Sequence, residues 1–207
     1  MRQSALLLVL LLLLTACSLQ PPAKPDWEAG KAALLVAEQW EFKGRMAVKI
    51  DDPEQRNQQS GGQASINWQQ ADVVSRIRLS GPLGVGAWEL VWSPKQVTAS
   101  DAKGERTIRY TGPAAAENFM RSELGWVFPA DSIRFWVRGL PAPHAGAEEQ
   151  FDADGRLALI RQQDWEVSYD RYGNFDGLQL PARLTISGKG VRLRLVITRW
   201  ELNQSSD

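Results

Sequence analysis

The 207-residue sequence has a single cysteine and a single histidine. One cysteine leaves no intrachain disulfide and no Cys-x-x-Cys redox or zinc pair, so the fold must hold by packing alone. The histidine, His144, sits in the loop sequence Pro141-Ala142-Pro143-His144-Ala145-Gly146. It has no second ligand or base nearby for a zinc site or a serine–histidine triad, and reads as a plain surface residue. Excess charge is missing too: 24 basic residues balance 24 acidic ones. No global field therefore draws the chain to nucleic acid or to an anionic surface, and a DNA-binding role is excluded. Gly84-Val85-Gly86 lacks the third glycine and the lysine of a phosphate loop, and punctuates a hairpin instead. Asp51, Asp52, Glu148 and Glu149 fall in expected loops and read as solvated charge rather than a glycosidase dyad. Neither a metal nor a cofactor is expected. The longest apolar run, Ala5 to Leu14, is shorter than the roughly 20 residues a membrane-crossing helix needs.

That run follows Arg2 and precedes small residues, the order of a secretory signal. The lone cysteine stands where the cut is expected, and Leu14-Thr15-Ala16-Cys17 resembles the lipobox of bacterial lipoproteins. The resemblance implies that the Cys17 thiol receives a diacylglyceryl group, that cleavage leaves Cys17 first, and that its amine is then acylated, commonly with palmitate. Ser18 stands where an aspartate would resemble an inner-membrane retention signal, which favours the outer membrane. The expected organisation is a removed signal over 1–16, a lipidated tether over 17–25 and one domain over 26–207. Three prolines between Ser18 and Pro25 make an extended spacer of roughly 25 Å, at about 3.1 Å per residue.

From Asp26, a possible cap, Trp27, Leu34 and Leu35 suit one face of a helix ending near Gln39. The period then shifts to two. Phe42, Met46, Val48 and Ile50 alternate with polar residues, as do Ala64, Ile66 and Trp68, with Asp51 to Gly62 as the loop between. Ile77 and Leu79 continue the pattern, and beyond a turn at Gly81 to Gly86 so do Trp88, Leu90 and Trp92. Strands are expected near 96–99 and 106–110. A helical stretch from Pro113 to Leu124, closed by Gly125, precedes a second helix over Asp131–Arg138 that shows Ile133, Trp136 and Val137 on one side. Strands return at 157–161, 165–169, 183–187 and 191–200. Strands, helices and strands in that order, with hairpin-length connections, argue for a mainly β, strongly curved antiparallel sheet rather than a doubly wound one. The helices are its available cover, and a bulky cover over a concave sheet can leave a lined cavity.

Within Ser80-Gly81-Pro82-Leu83-Gly84 a leucine occupies the turn tip, where a polar residue is the usual choice. It either folds back under the hairpin or stands in water ready to enter lipid. Several tracts, each weak alone, then combine with the lipobox: Trp40-Glu41-Phe42-Lys43-Gly44-Arg45, Gly62-Gln63-Ala64, Trp68-Gln69-Gln70, Gly81-Pro82-Leu83-Gly84, Leu124-Gly125-Trp126, Trp136 to Pro143, Leu180-Pro181 and the closing Trp200. In this order the sequence resembles the LolB family of outer-membrane lipoprotein receptors, over essentially the whole mature domain. The resemblance implies an unclosed antiparallel half-barrel with a helical lid. Its apolar cavity would take acyl chains from a periplasmic carrier of the LolA type and release the cargo lipoprotein into outer-membrane lipid. It also implies that Leu83, flanked by Pro82 and Gly84, is a protruding leucine needed for delivery.

The expected cavity lining is Trp68, Leu79, Trp88, Leu90, Phe119, Trp126, Ile133 and Trp136, each of which could equally be ordinary core. The chain is expected to act as a monomer, facing the periplasm and using no nucleotide. Two other classes stay open on the residues alone: an envelope hydrolase using loop carboxylates, and a structural subunit of an envelope assembly, which would show a flat apolar patch rather than a lidded cavity.

Overall fold

Apolar residues at every second position make one face of each strand greasy, and the strands assemble so that these faces coincide. The computed structural model describes residues 27–51, 60–81, 86–143 and 145–203. Helix α1 (Trp27–Val36) leads into β1 (Gln39–Ile50), after which β2 (Ser60–Ala71), β3 (Val74–Ser80), β4 (Trp88–Ser93), β5 (Gln96–Asp101) and β6 (Thr107–Thr111) follow in sequence. The helical insert comprises α2 (Ala115–Phe119), continued by a wider π turn over Met120–Leu124, and α3 (Ala130–Trp136). The remaining strands are β7 (Glu148–Phe151), β8 (Leu157–Gln162), β9 (Trp165–Phe175), β10 (Leu178–Gly188) and β11 (Val191–Asn203). All eleven form one antiparallel sheet in the order β6-β5-β4-β3-β2-β1-β11-β10-β9-β8-β7. Its edges, β6 and β7, do not pair with each other, so the barrel stays open.

The first and last strands meet at the centre of the sheet. Their register slips between Lys43 and Gly44, a bulge that bends the sheet locally. Only glycine fits there, because a Cβ on Gly44 would lie 2.3 Å from the Val196 carbonyl oxygen.

Two apolar clusters cover the inner face. The larger centres on Trp40, Phe42, Trp68 and Trp200, whose ring centroids lie 5.1 to 6.1 Å apart, and extends over β8 to β11. The smaller joins Trp92 and Val97 to Phe119 and Met120 of the helical insert. Arg138 ties α1 to the end of α3. It is buried, and its guanidinium donates to the carbonyls of Leu34 at 2.7 Å and Ala37 at 3.0 Å while lying 5.6 Å above the Trp40 ring. Burial, and secondarily Arg134, lower its pKa to about 10, so it stays charged at neutral pH against the negative end of α1. Arg138→Leu strands those carbonyls and should cost about 2 kcal/mol, read as a lowered urea midpoint. An unchanged midpoint would mean that Arg138 does not anchor α1.

Several boundaries differ from the sequence-based expectation. Helix α1 ends at Val36, because Gln39 is already paired with both Ala71 and Asn203. Leu34 is buried but Leu35 is exposed, so the two do not share a face. Ser60, Gly61 and Gly62 open β2 opposite Ile50, Lys49 and Val48 instead of ending the loop. Glu148 and Glu149 lie on a strand. Its partner β8 supplies the backbone bonds, while Arg161 and Lys31 pair with the two carboxylates, which also guard an exposed edge. The single helix expected from Pro113 to Leu124 is two short pieces, although Gly125 does close it in the left-handed conformation at φ 77°. The signal, Cys17, the tether, the Asp26 cap, Pro82, Leu83, Gly84 and His144 lie outside the described residues.

Candidate functional site

The two clusters are bridged by Phe128, which packs against both. Between them lies a half-open cavity of about 740 Å³, floored by one face of seven adjacent strands. The pairing explains its continuity: Trp68 stands opposite Ile77, Ile77 opposite Leu90, Leu90 opposite Ala99 and Ala99 opposite Ile108. A second row runs Ile66, Leu79, Trp88, and a third Leu195, Met46, Ala64. Strand periodicity of two sends every one of these side chains to the same side. Phe119, Leu124, Trp126, Phe128, Ala130 and Ile133 of the insert close the opposite wall.

Polar groups in the wall are few. Ser75 Oγ donates to Gln70 Oε1 at 2.6 Å, and Trp68 Nε1 donates to the same oxygen at 3.2 Å. Gln70 Nε2 in turn donates to the Asp72 carbonyl at 2.8 Å, so the buried polar corner is satisfied within itself. The charged lining residues sit on separate elements: Glu123 of the π turn accepts the Tyr110 hydroxyl at 2.9 Å, Asp131 and Arg134 stand on α3, and Arg106 precedes β6. Among the described residues no group of three or more His, Cys, Asp or Glu side chains could hold a metal. What the cavity can do is shield apolar matter from water.

Seven of the eight expected lining residues face it: Trp68, Leu79, Trp88, Leu90, Phe119, Trp126 and Ile133. Trp136 does not. It is fully buried in the larger cluster, where its Nε1 donates to Gln162 Oε1 at 2.8 Å and its ring lies 6.4 Å from that of Trp165. Helical periodicity put Trp136 on the same side as Ile133, but the indole points past the cavity toward β8 and β9. The chain also places in the wall Met46, Val48, Ile77 and Trp92, expected only as apolar positions of alternating strands, and Phe128, for which the sequence reading had no expectation. Two of these five, Ile77 and Trp92, share a strand face with a residue already chosen, so strict alternation from Leu79 and Leu90 would have found them.

A cavity of this kind on an open eleven-stranded sheet can be compared with known proteins. The family model for outer membrane lipoprotein LolB matches residues 38–200. The chain belongs to the LolB family. Outer-membrane lipoprotein LolB of Chromohalobacter salexigens is 32% identical over 201 residues, which cover 94% of this chain and 88% of that protein. The LolB of Pseudomonas fluorescens is 33% identical, covering 88% of this chain and 84% of the relative. Among solved structures, a LolA superfamily protein from Nitrosomonas europaea superposes with a TM-score of 0.45 at 8% identity, covering 83% of this chain and 89% of the other. As a LolB-family member the protein is an outer-membrane lipoprotein receptor in lipoprotein localisation, and not an enzyme. Among the described residues no helix is long and apolar enough to cross a membrane.

Proposed function

We propose that the protein is anchored through acylated Cys17, takes acylated lipoproteins from a LolA-type periplasmic carrier into the cavity, and releases them into the outer membrane through the Leu83 turn. The half-open apolar cavity between the two clusters carries this reading. Its volume lies within the roughly 300–1,000 Å³ range of ligand pockets. At about 0.8 kcal/mol per buried CH₂, three acyl chains are in effect insoluble, so the cargo must pass from one shielded site to another. Without a nucleotide the steps run downhill, and each 1.4 kcal/mol of extra affinity at the acceptor shifts the distribution tenfold. Residues 18–25 keep the domain within reach of the bilayer.

The test incubates the unlipidated mature chain with a carrier loaded with labelled lipoprotein and asks which protein holds the label. Label moving to this chain supports the reading; label staying on the carrier overturns it. The cavity is tested by Leu79→Asp. Leu79 is half-buried at the wall, so the carboxylate stays hydrated in the empty protein, but an entering acyl chain must strip its water. Cargo retention should fall about a hundredfold with little change in thermal midpoint. Full retention would move the cargo site elsewhere.

A further inference from the structure

The face turned away from the cavity carries an unusual charge pattern. Reading across β1, β11, β10 and β9, one row is Lys49, Arg192, Ser187, Glu166, the next Ala47, Arg194, Thr185, Ser168, and the third Arg45, Val196, Arg183, Arg171. These twelve positions hold six cations and one carboxylate. Lys49 stands directly opposite Arg192, and Arg171 opposite Arg183, pairings that oppose folding in a sheet. Of the bordering acids, Asp51 pairs with Lys49 of the patch at 3.4 Å, Glu166 pairs with Arg161 at 3.0 Å, and the exposed Asp170 stands in the β9 bulge beside Arg171, so the five arginines outnumber the acids around them. Among the described residues, none of Arg45, Arg171, Arg183, Arg192 and Arg194 makes an ion pair. Arg183 Nε is moreover the one buried side-chain donor in that set of residues with no hydrogen-bond partner.

From this we infer that the outer face of β1, β11 and β10 binds the anionic headgroups of a phospholipid bilayer. A chain with zero net charge that gathers cations on one face, and leaves most of them without an ion pair, keeps a repulsion that an external anion relieves. Phosphate oxygens suit arginine's fork of donors. The patch lies on the face of the sheet opposite the cavity, so a bilayer bound there leaves the cavity free for acyl chains. It also starts at the correct end. β3 ends and β4 begins at the same end of the sheet as the Lys189-Gly190 turn, the end that carries Lys49 and Arg192, which is the end the functional reading turns toward the bilayer.

The experiment uses the mature chain carrying Cys17→Ala, so that no acyl anchor masks binding, and vesicles of phosphatidylethanolamine with and without phosphatidylglycerol. Binding should require phosphatidylglycerol and weaken as salt rises. Each cation near such a surface contributes a factor of about five, so combining Arg192→Gln with Arg194→Gln should weaken binding about thirtyfold. The unfolding midpoint should not fall, because like charges are removed. Arg45→Gln, on the neighbouring strand, provides a second variant with an expected loss of about fivefold. Equal binding to both vesicle types, or wild-type binding by the double variant, overturns the proposal. So does a double variant that binds vesicles normally but receives cargo slowly from the carrier, since the patch would then dock an acidic protein. Leu79→Asp should bind the vesicles as wild type does, which separates this surface from the cavity.

Discussion

Leu83→Glu should leave folding and cargo uptake intact while slowing delivery into the membrane about a thousandfold. The wild-type side chain gains roughly 1.5 to 3 kcal/mol each time it leaves water for hydrocarbon. A carboxylate in its place is opposed by about 2.5 to 3.5 kcal/mol at the bilayer centre. Together the change is about 4 to 6 kcal/mol, or three orders of magnitude and more. The substitution falls in the 81–87 connection, between β3 and β4, whose ladder from Ser75 to Leu79 is already closed by Trp92 to Trp88. The measurement follows labelled lipoprotein from the loaded carrier to this chain and then into outer-membrane vesicles. Purified variant that inserts cargo at the normal rate would remove Leu83 from the mechanism.

The second large effect concerns stability. Gln162→Leu should lower the unfolding free energy by about 4 kcal/mol, although the two side chains are similar in size. Gln162 is buried on β8 and uses all its bonding capacity. Its Nε2 donates to the carbonyls of Ala142 at 2.9 Å and Ala145 at 2.8 Å, and its Oε1 accepts from Trp136 Nε1 at 2.8 Å and the Ala142 amide at 2.9 Å. Leucine leaves two buried donors and two acceptors without partners, at about 1 to 3 kcal/mol for each that water cannot reach. Gln162→Glu keeps both acceptor bonds but sets a buried carboxylate oxygen against the Ala142 and Ala145 carbonyls, and should destabilise as well. Urea unfolding with an unchanged slope provides the readout. A loss under 1 kcal/mol would mean that water replaces the amide. The same bonds fix the C-terminal end of α3 to the sheet, while Ala130 and Ile133, nearer its start, face the cavity.

How far could these features be read before the chain was folded? Alternation over Ile77, Leu79, Trp88, Leu90 and Trp92 named the strands and their greasy face, because side-chain direction in a strand depends only on parity. Strand β7 was invisible for the same reason: Glu-Glu-Gln-Phe has no alternation, and only the β8 ladder makes it a strand. Trp126 and Trp136 are alike in composition and setting, yet one lines the cavity and the other is sealed in the core. Gln162, an ordinary polar residue after Arg161, gave no signal of the four bonds that pin the insert.

The residues alone therefore determined an antiparallel sheet with one apolar face, helices as its cover, the want of histidine or cysteine chemistry, and the ordered tracts that mark the family. Those properties are local, set by periodicity and residue type. Tertiary structure decided where the two clusters leave a cavity between them, which aromatics border it, and how a chain of zero net charge sets Arg45, Arg183, Arg192 and Arg194 together on its outer face. Each depends on β1 meeting β11 across almost the whole length of the domain, a pairing that no local pattern encodes.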